Sequence, residues 1–123
     1  MRGNSAEMSL IGAVPNAIRI ETGPVDNLRD ATRSVRIVNG HPWMAKVTGT
    51  GCLSGGVIAA FMAVEKDALT AAAAALAITG VAAELAAKNA KGPGTFEPAF
   101  LDVLSEISGE DIRNHARIEH EQG

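Results

Sequence analysis

The sequence predicts an α/β fold in which a few short strands are followed by three helices. Two observations carry this. The first half holds brief alternating segments broken by turn residues, notably "NAIRIETG" (16–23) and the run 34–38, which ends at the turn dipeptide Asn39-Gly40. The second half turns apolar and alanine-rich, with helical periodicity and capping residues.

Taken in order, Asn4 or Ser5 can cap a short helix reaching about Ile11, with Glu7 in its first turn and Gly12 to close it. Strands over 16–23 and 34–38 come next. Two or three such strands make a poor sheet alone. From Gly51 to about Val64 the chain is apolar on nearly every face, as in a buried helix. Asp67 can cap a second helix running from Ala68 to about Asn89, which Thr79-Gly80 interrupts without breaking. "KGPGTF" (91–96) reads as a loop, and a third helix is expected from about Glu97 to Ile107. The segment from Gly109 onward is polar and is expected to fray.

Composition narrows the function classes. The 123 residues allow one small domain at most. A net charge of −3 gives no basic footprint, so no nucleic-acid partner is expected. Arg29, Arg33 and Arg36 cluster, but Asp26 and Asp30 dilute them into an ordinary solvated face. Cys52 is the only cysteine, so no intrachain disulfide can form, which fits a reducing, cytoplasmic setting. "MRGNSAEM" lacks a signal-peptide core. The most apolar run, 69–83, ends at Glu84 and falls short of the ~20 residues that span a bilayer. No membrane partner is expected. His41, His115 and His120 read as surface residues, and Trp43 and Met44 as packing residues.

The stretch "KVTGTGCLSGGVIAAF" (46–61) is the chemical question. Its glycines let a ligand approach the backbone, and the loop feeds straight into a helix. The N–H groups of Thr50, Gly51, Cys52 and Leu53 would then point outward, where the helix dipole favours an anion. In that first turn the Cys52 thiol should tend toward ionisation. A dinucleotide fingerprint fits Gly49 and Gly51, but Ser54 stands in the place of the third glycine. A Walker A loop needs Gly-Lys-Ser/Thr, which is absent. A plain glycine turn before a core helix, with Cys52 as a small buried hydrophobe, fits the local pattern as well as an anion cradle does.

Three motifs in order carry a wider resemblance. "RGNSAEM" (2–8) is similar to an Arg-Gly-Asn-x-Ser-Glu segment. "TGPVD" (22–26) is similar to Thr-Gly-Glu-x-Asp, and "NGHPWMAKVTGTGC" (39–52) continues unbroken to about Ile107, with the spacing between the Thr-Gly motif and "GTGC" kept. Together they resemble hydroxyethylthiazole kinase, a ribokinase-like family of thiamine salvage. The resemblance implies a partial ribokinase-like fold. It implies transfer of the ATP γ-phosphoryl group to the hydroxyl of 4-methyl-5-(2-hydroxyethyl)thiazole, with Mg2+, in a trimer. Carried over by position, it implies that Arg2, Thr22 and Asn4 bind the nucleotide and that Glu7 serves the metal. It implies that Gly49 contacts the thiazole alcohol and that Gly49, Thr50, Gly51 and Cys52 form the catalytic anion hole. Cys52 stands where related sugar kinases place an aspartate base.

The sequence departs from that pattern. It starts where the family's second half starts, and a helix and a strand are missing between Gly12 and Ile20. Pro24 replaces an acidic residue, and Asn27 an aromatic one. Residues 1–108 are therefore expected to be a truncated C-terminal part of the kinase domain, with 109–123 as a polar tail. Helices built to cover a larger sheet should expose apolar surface, and oligomerisation would cover it. The alternative is a catalytically inactive remnant that serves as a nucleotide-binding or oligomerisation module.

Overall fold

A computed structural model describes residues 17–46 and 50–122. The candidate residues Arg2, Asn4, Glu7 and Gly49, and the helix expected after Asn4, lie outside the described residues. So does the region of the expected internal gap up to residue 16.

The described chain is mixed α/β. Three strands come first: β1 (Arg19–Glu21), β2 (Asp26–Arg29) and β3 (Arg33–Ile37). A 3-10 turn over Pro42–Lys46 leads to four helices: α1 (Thr50–Met62), α2 (Ala68–Asn89), α3 (Pro93–Glu106) and α4 (Gly109–His115). A fourth strand, β4 (Ile118–Gln122), returns to the sheet. The order is β1-β2-β3-β4, and every pairing is antiparallel.

Pleating explains the sheet. In β3, Val35 and Ile37 are buried while Arg36 faces solvent. Across the ladder Ile20 sits opposite Leu28, Leu28 opposite Val35, and Val35 opposite His120. That row faces α2, where Leu28, Val35 and Ile37 pack with Leu69, Ala72, Ala73, Leu76 and Ala77. Full burial of Leu28 and of Ile37 stabilises the fold by about 1.5–3 kcal/mol each. The opposite face is polar, with Arg36 paired to Glu119 at 2.8 Å. An antiparallel sheet tolerates one such wet face.

Strand β2 has little alternation of its own, and its turn residues form it. The Asp26 carboxylate accepts the Gly23 N–H at 3.2 Å. At the next corner, Asp30 accepts from the N–H groups of Thr32 and Arg33 at 3.0 and 2.7 Å.

Helix α2 is the central element. Asp67 caps it by accepting the Thr70 N–H. It has 22 residues and a mean hydropathy of 1.7 in its most apolar window, so by length and composition it could cross a membrane. The run 69–83 alone is too short, but Glu84 does not end the helix. Two-thirds of that window is buried in the protein, as in a soluble core helix. One half packs on the sheet. The other packs Ala82, Ala83 and Ala86 against Phe96 and Phe100 of α3. Alanine permits that close approach of helices.

Two expectations are corrected. The Gly-Pro-Gly segment is not all loop, because α3 begins at Pro93. Proline suits the first helical position, where its missing N–H has no intrahelical partner to lose. The Thr95 hydroxyl accepts the Lys91 and Gly92 N–H groups and replaces a side-chain cap at Gly92. The polar segment after Gly109 does not fray. Ser108 and Asp111 cap α4 reciprocally, and β4 finds the open edge of β3.

Candidate functional site

Helix α1 starts at Thr50, inside the Gly-Thr-Gly stretch of 49–51. Its first four N–H groups therefore have no intrahelical acceptor, as the anion-cradle reading requires. Thr50, Gly51 and Cys52 share that first turn. Thr22 is exposed just past the end of β1, at the turn into β2. The structure thus places the backbone of the first turn of α1 and the strand end that carries Thr22. Both are tied to one core, since Ile20 of β1 and Ile58 of α1 pack on the same cluster.

The chain entering the glycine loop is fixed by a polar network. Asn39 is 5% exposed. Its Nδ2 donates to the Glu84 carboxylate at 3.1 and 3.2 Å and to the His115 carbonyl at 2.8 Å. Its Oδ1 accepts the Arg117 N–H at 2.7 Å. Glu84 also accepts the Gly40 N–H at 2.9 Å and an Arg117 guanidinium N–H at 2.5 Å. Burial pushes the Glu84 carboxyl up, but the hydrogen bonds from Arg117, Gly40 and Asn39 outweigh it and hold it below its ordinary range.

Two glycines make this corner possible. Gly40 has φ 135°, which side-chain-bearing residues rarely adopt. Gly80 lets α2 press on the turn, since a Cβ there would lie 2.7 Å from the Asn39 Cβ and 2.9 Å from its carbonyl carbon. Beyond the corner, the His41 Nδ1 accepts the Trp43 N–H at 3.1 Å. His41 packs beside Trp43 and Phe96, with ring centroids 4.7 and 6.1 Å away. It is a half-buried packing residue rather than a surface one.

The sequence reading saw Asn39-Gly40 only as a turn and Glu84 only as the end of an apolar run. The available signal was a glutamate four residues after a glycine, inside an alanine helix.

Other charged clusters are structural. Arg33 bridges Asp30 and Asp67 at 2.6 and 2.7 Å. Hydrogen bonds from Arg33 and Thr70 hold the Asp67 carboxyl well below the usual range. A half-open cavity of about 230 Å³ lies between β3, β4 and α2, lined by Val35, Leu69, Ala73, His120 and others. None of the described candidate site residues lines it. Among the described residues no cluster of three or more His, Cys, Asp or Glu could hold a metal.

A profile of the hydroxyethylthiazole kinase family matches residues 2–110. The chain belongs to the hydroxyethylthiazole kinase family. It is 86% identical over all 123 residues to a protein of Agrobacterium fabrum named "Probable hydroxyethylthiazole kinase", and covers 50% of that protein. It is 44% identical over 104 residues to a hydroxyethylthiazole kinase of Desulforudis audaxviator, across 85% of this chain and 38% of that one. The solved structure of a hydroxyethylthiazole kinase protein from Pyrococcus horikoshii matches with a TM-score of 0.82 and 38% identity, over 86% of this chain and 41% of that one. The strand and helix arrangement described above is therefore close to that of a hydroxyethylthiazole kinase. The chain spans half or less of the length of these relatives.

Proposed function

We propose that this chain carries the phosphoryl-transfer part of a hydroxyethylthiazole kinase, moving the ATP γ-phosphoryl group to the hydroxyl of 4-methyl-5-(2-hydroxyethyl)thiazole. The observation that carries this is the 86% identity along the whole chain to the Agrobacterium fabrum protein. The start of helix α1 at Thr50, within Gly-Thr-Gly, supports it.

In the proposed reaction the substrate hydroxyl oxygen bonds to the γ-phosphorus. The bond from that phosphorus to the β–γ bridging oxygen breaks, ADP leaves, and the hydroxyl proton passes to a base. Such transfer depends on positioning and charge neutralisation more than on covalent help. The N–H groups of Thr50, Gly51 and Cys52 would face the transferring phosphoryl, and the Gly49 backbone would hold the acceptor hydroxyl. Cys52 is the candidate base, although the helix start that ionises a thiol also weakens it as one. Arg2, Asn4 and Thr22 would hold the nucleotide. Glu7 would serve Mg2+, which would neutralise phosphate charge. We place the protein in the cytoplasm, as a homo-oligomer.

Helix α1 leaves Ala59, Ala60 and Met62 exposed, and Val64 just beyond it, which supports completion of the site by the rest of the relatives' length. The test is ATP–Mg2+ calorimetry on the chain and on its Arg2→Ala/Thr22→Ala variant. A thiazole kinase assay follows, on the chain alone and co-expressed with the first half of the Agrobacterium fabrum relative. Saturable ATP binding lost in the variant, with turnover only in the co-expressed pair, is the expected result. No binding and no turnover in either would overturn the reading.

A further inference from the structure

The link from sheet to anion-hole helix runs through one carboxylate. Val38, the residue after β3, donates its N–H to the Arg117 carbonyl at 2.9 Å. The next two residues, Asn39 and Gly40, are both held by Glu84. From there the 3-10 turn over Pro42–Lys46 is short, closed by the Met44 N–H on the His41 carbonyl at 3.0 Å, and it packs Trp43 and Met44 on α3 and the end of α2. Helix α1 begins at Thr50, four residues beyond that turn, and Ile58 anchors it in the core beside α2. Glu84 holds the chain where it leaves the sheet on the way to that helix.

Glu84 suits that task. Its side chain is 17% exposed. It meets a backbone N–H, a buried amide and an exposed guanidinium together, and Gly80 one turn earlier on α2 gives the turn room to reach it. A carboxylate there can only accept, and all three partners can only donate in these contacts. A glutamine must turn an N–H toward one of the donors, so the clamp loosens without loss of volume.

We propose that Glu84 is a positioning residue for phosphoryl transfer: by gripping Asn39 and Gly40 it fixes how the chain leaving β3 leads to the first turn of α1. The role rests on the kinase reading given above, but the grip can be measured without it. Cys52 is the chain's only cysteine and lies in the first turn of α1, so its alkylation reports on that turn.

The experiment follows the pH dependence of iodoacetamide alkylation of Cys52, alongside thermal unfolding, in the intact chain. The variants are Glu84→Gln, the milder Arg117→Gln, and Asp67→Asn as a control that weakens α2 at its other end. The native chain should alkylate with a midpoint below the ~8.5 of a free thiol. Glu84→Gln should move the midpoint upward by about half a unit or more, toward that value, as the first turn loosens. Arg117→Gln should move it in the same direction by less, and reports alone if Glu84→Gln does not fold. Asp67→Asn should lower the melting temperature and leave the midpoint unchanged.

Two results would overturn the proposal. One is melting temperatures that fall in the Glu84 and Arg117 variants while the Cys52 midpoint stays put. The other is a native midpoint already at the free-thiol value. ATP calorimetry on the same samples separates the two readings. A shifted midpoint in a chain that never binds ATP keeps the positioning role for the loop and sinks only the kinase assignment.

Discussion

At the scale of single residues, two small groups on α2 decide more than their size suggests. Thr79 donates its hydroxyl back to the Ala75 and Leu76 carbonyls, so a buried polar side chain is satisfied inside its own helix. Gly80 looks like a weak point in a helix, and in isolation an alanine would improve it by about 1 kcal/mol. The close approach to Asn39 reverses the sign, because the obstructing atoms are a Cβ and backbone that cannot swing away. Gly80→Ala should therefore destabilise the chain by roughly 1–2 kcal/mol in urea titration, the net of overpacking against propensity. An unchanged or raised midpoint would mean the corner yields freely. Thr79-Gly80 was legible in the sequence only as an interruption. What makes the glycine necessary lies forty residues away in sequence, at Asn39, and no local pattern carries that.

Elements were legible where periodicity is local. Helices α1 and α2, the Asp67 cap and strands β1 and β3 fall where the sequence puts them, give or take a few residues. Strand β2 was not singled out, because its form comes from the Asp26 and Asp30 turns rather than from alternation. Helix α4 and β4 were read as a fraying end, because their residues are polar and their stability comes from β3. Deleting residues 118–123 should thus be costly although the segment is mostly exposed. It strips the β3 edge of its partner and removes the Arg36–Glu119 pair. The shortened chain should lose its cooperative thermal transition by circular dichroism, and an unshifted transition would show β4 to be dispensable.

The cap of α2 gives the acid response a sign. Asp67 is held below its ordinary value of 3.8 by hydrogen bonds from Arg33 and Thr70. Asp30 is also held low, where bonds from Arg33 and Thr32 outweigh burial. Both carboxylates therefore stabilise the fold above the unfolded value and lose that contribution as pH falls through their lower folded values. Asp26 runs the other way, raised by burial despite its bond from Gly23. The melting temperature should fall as pH drops below about 4, and Asp67→Asn should make that fall shallower while lowering stability at pH 7 by up to about 1 kcal/mol, the worth of the lost Arg33 ion pair. An equally steep acid fall in the variant would assign the response elsewhere.

At the scale of the molecule, the candidate site was legible only through three motifs in order. Arg2, Asn4, Glu7 and Gly49 lie outside the described residues, so their roles rest on that resemblance. The expectation of exposed apolar surface is met at the end of α1 and just beyond it, where Met62 is 38% exposed and Val64 85%. A helix with no charged residue needs covering on more than the side α2 provides. The chain should therefore associate with itself in a concentration-dependent way when alone. Met62→Lys/Val64→Lys should shift sedimentation toward monomer, and an unchanged profile would place the contact on another face.

The pairing of β3 with β4 also orders the fold in time. The β1-β2-β3 meander can zip up from neighbours in sequence, and alanine-rich α2 can nucleate by itself, so both form early. The β3 edge then waits, with Arg33 and Arg36 along it, until all four helices are laid down and bring the polar end of the chain back. Charged side chains on a strand that must stand open guard it against pairing with another nascent copy. The polarity that hides β4 from a reader of the sequence is thus what keeps the unfinished sheet soluble.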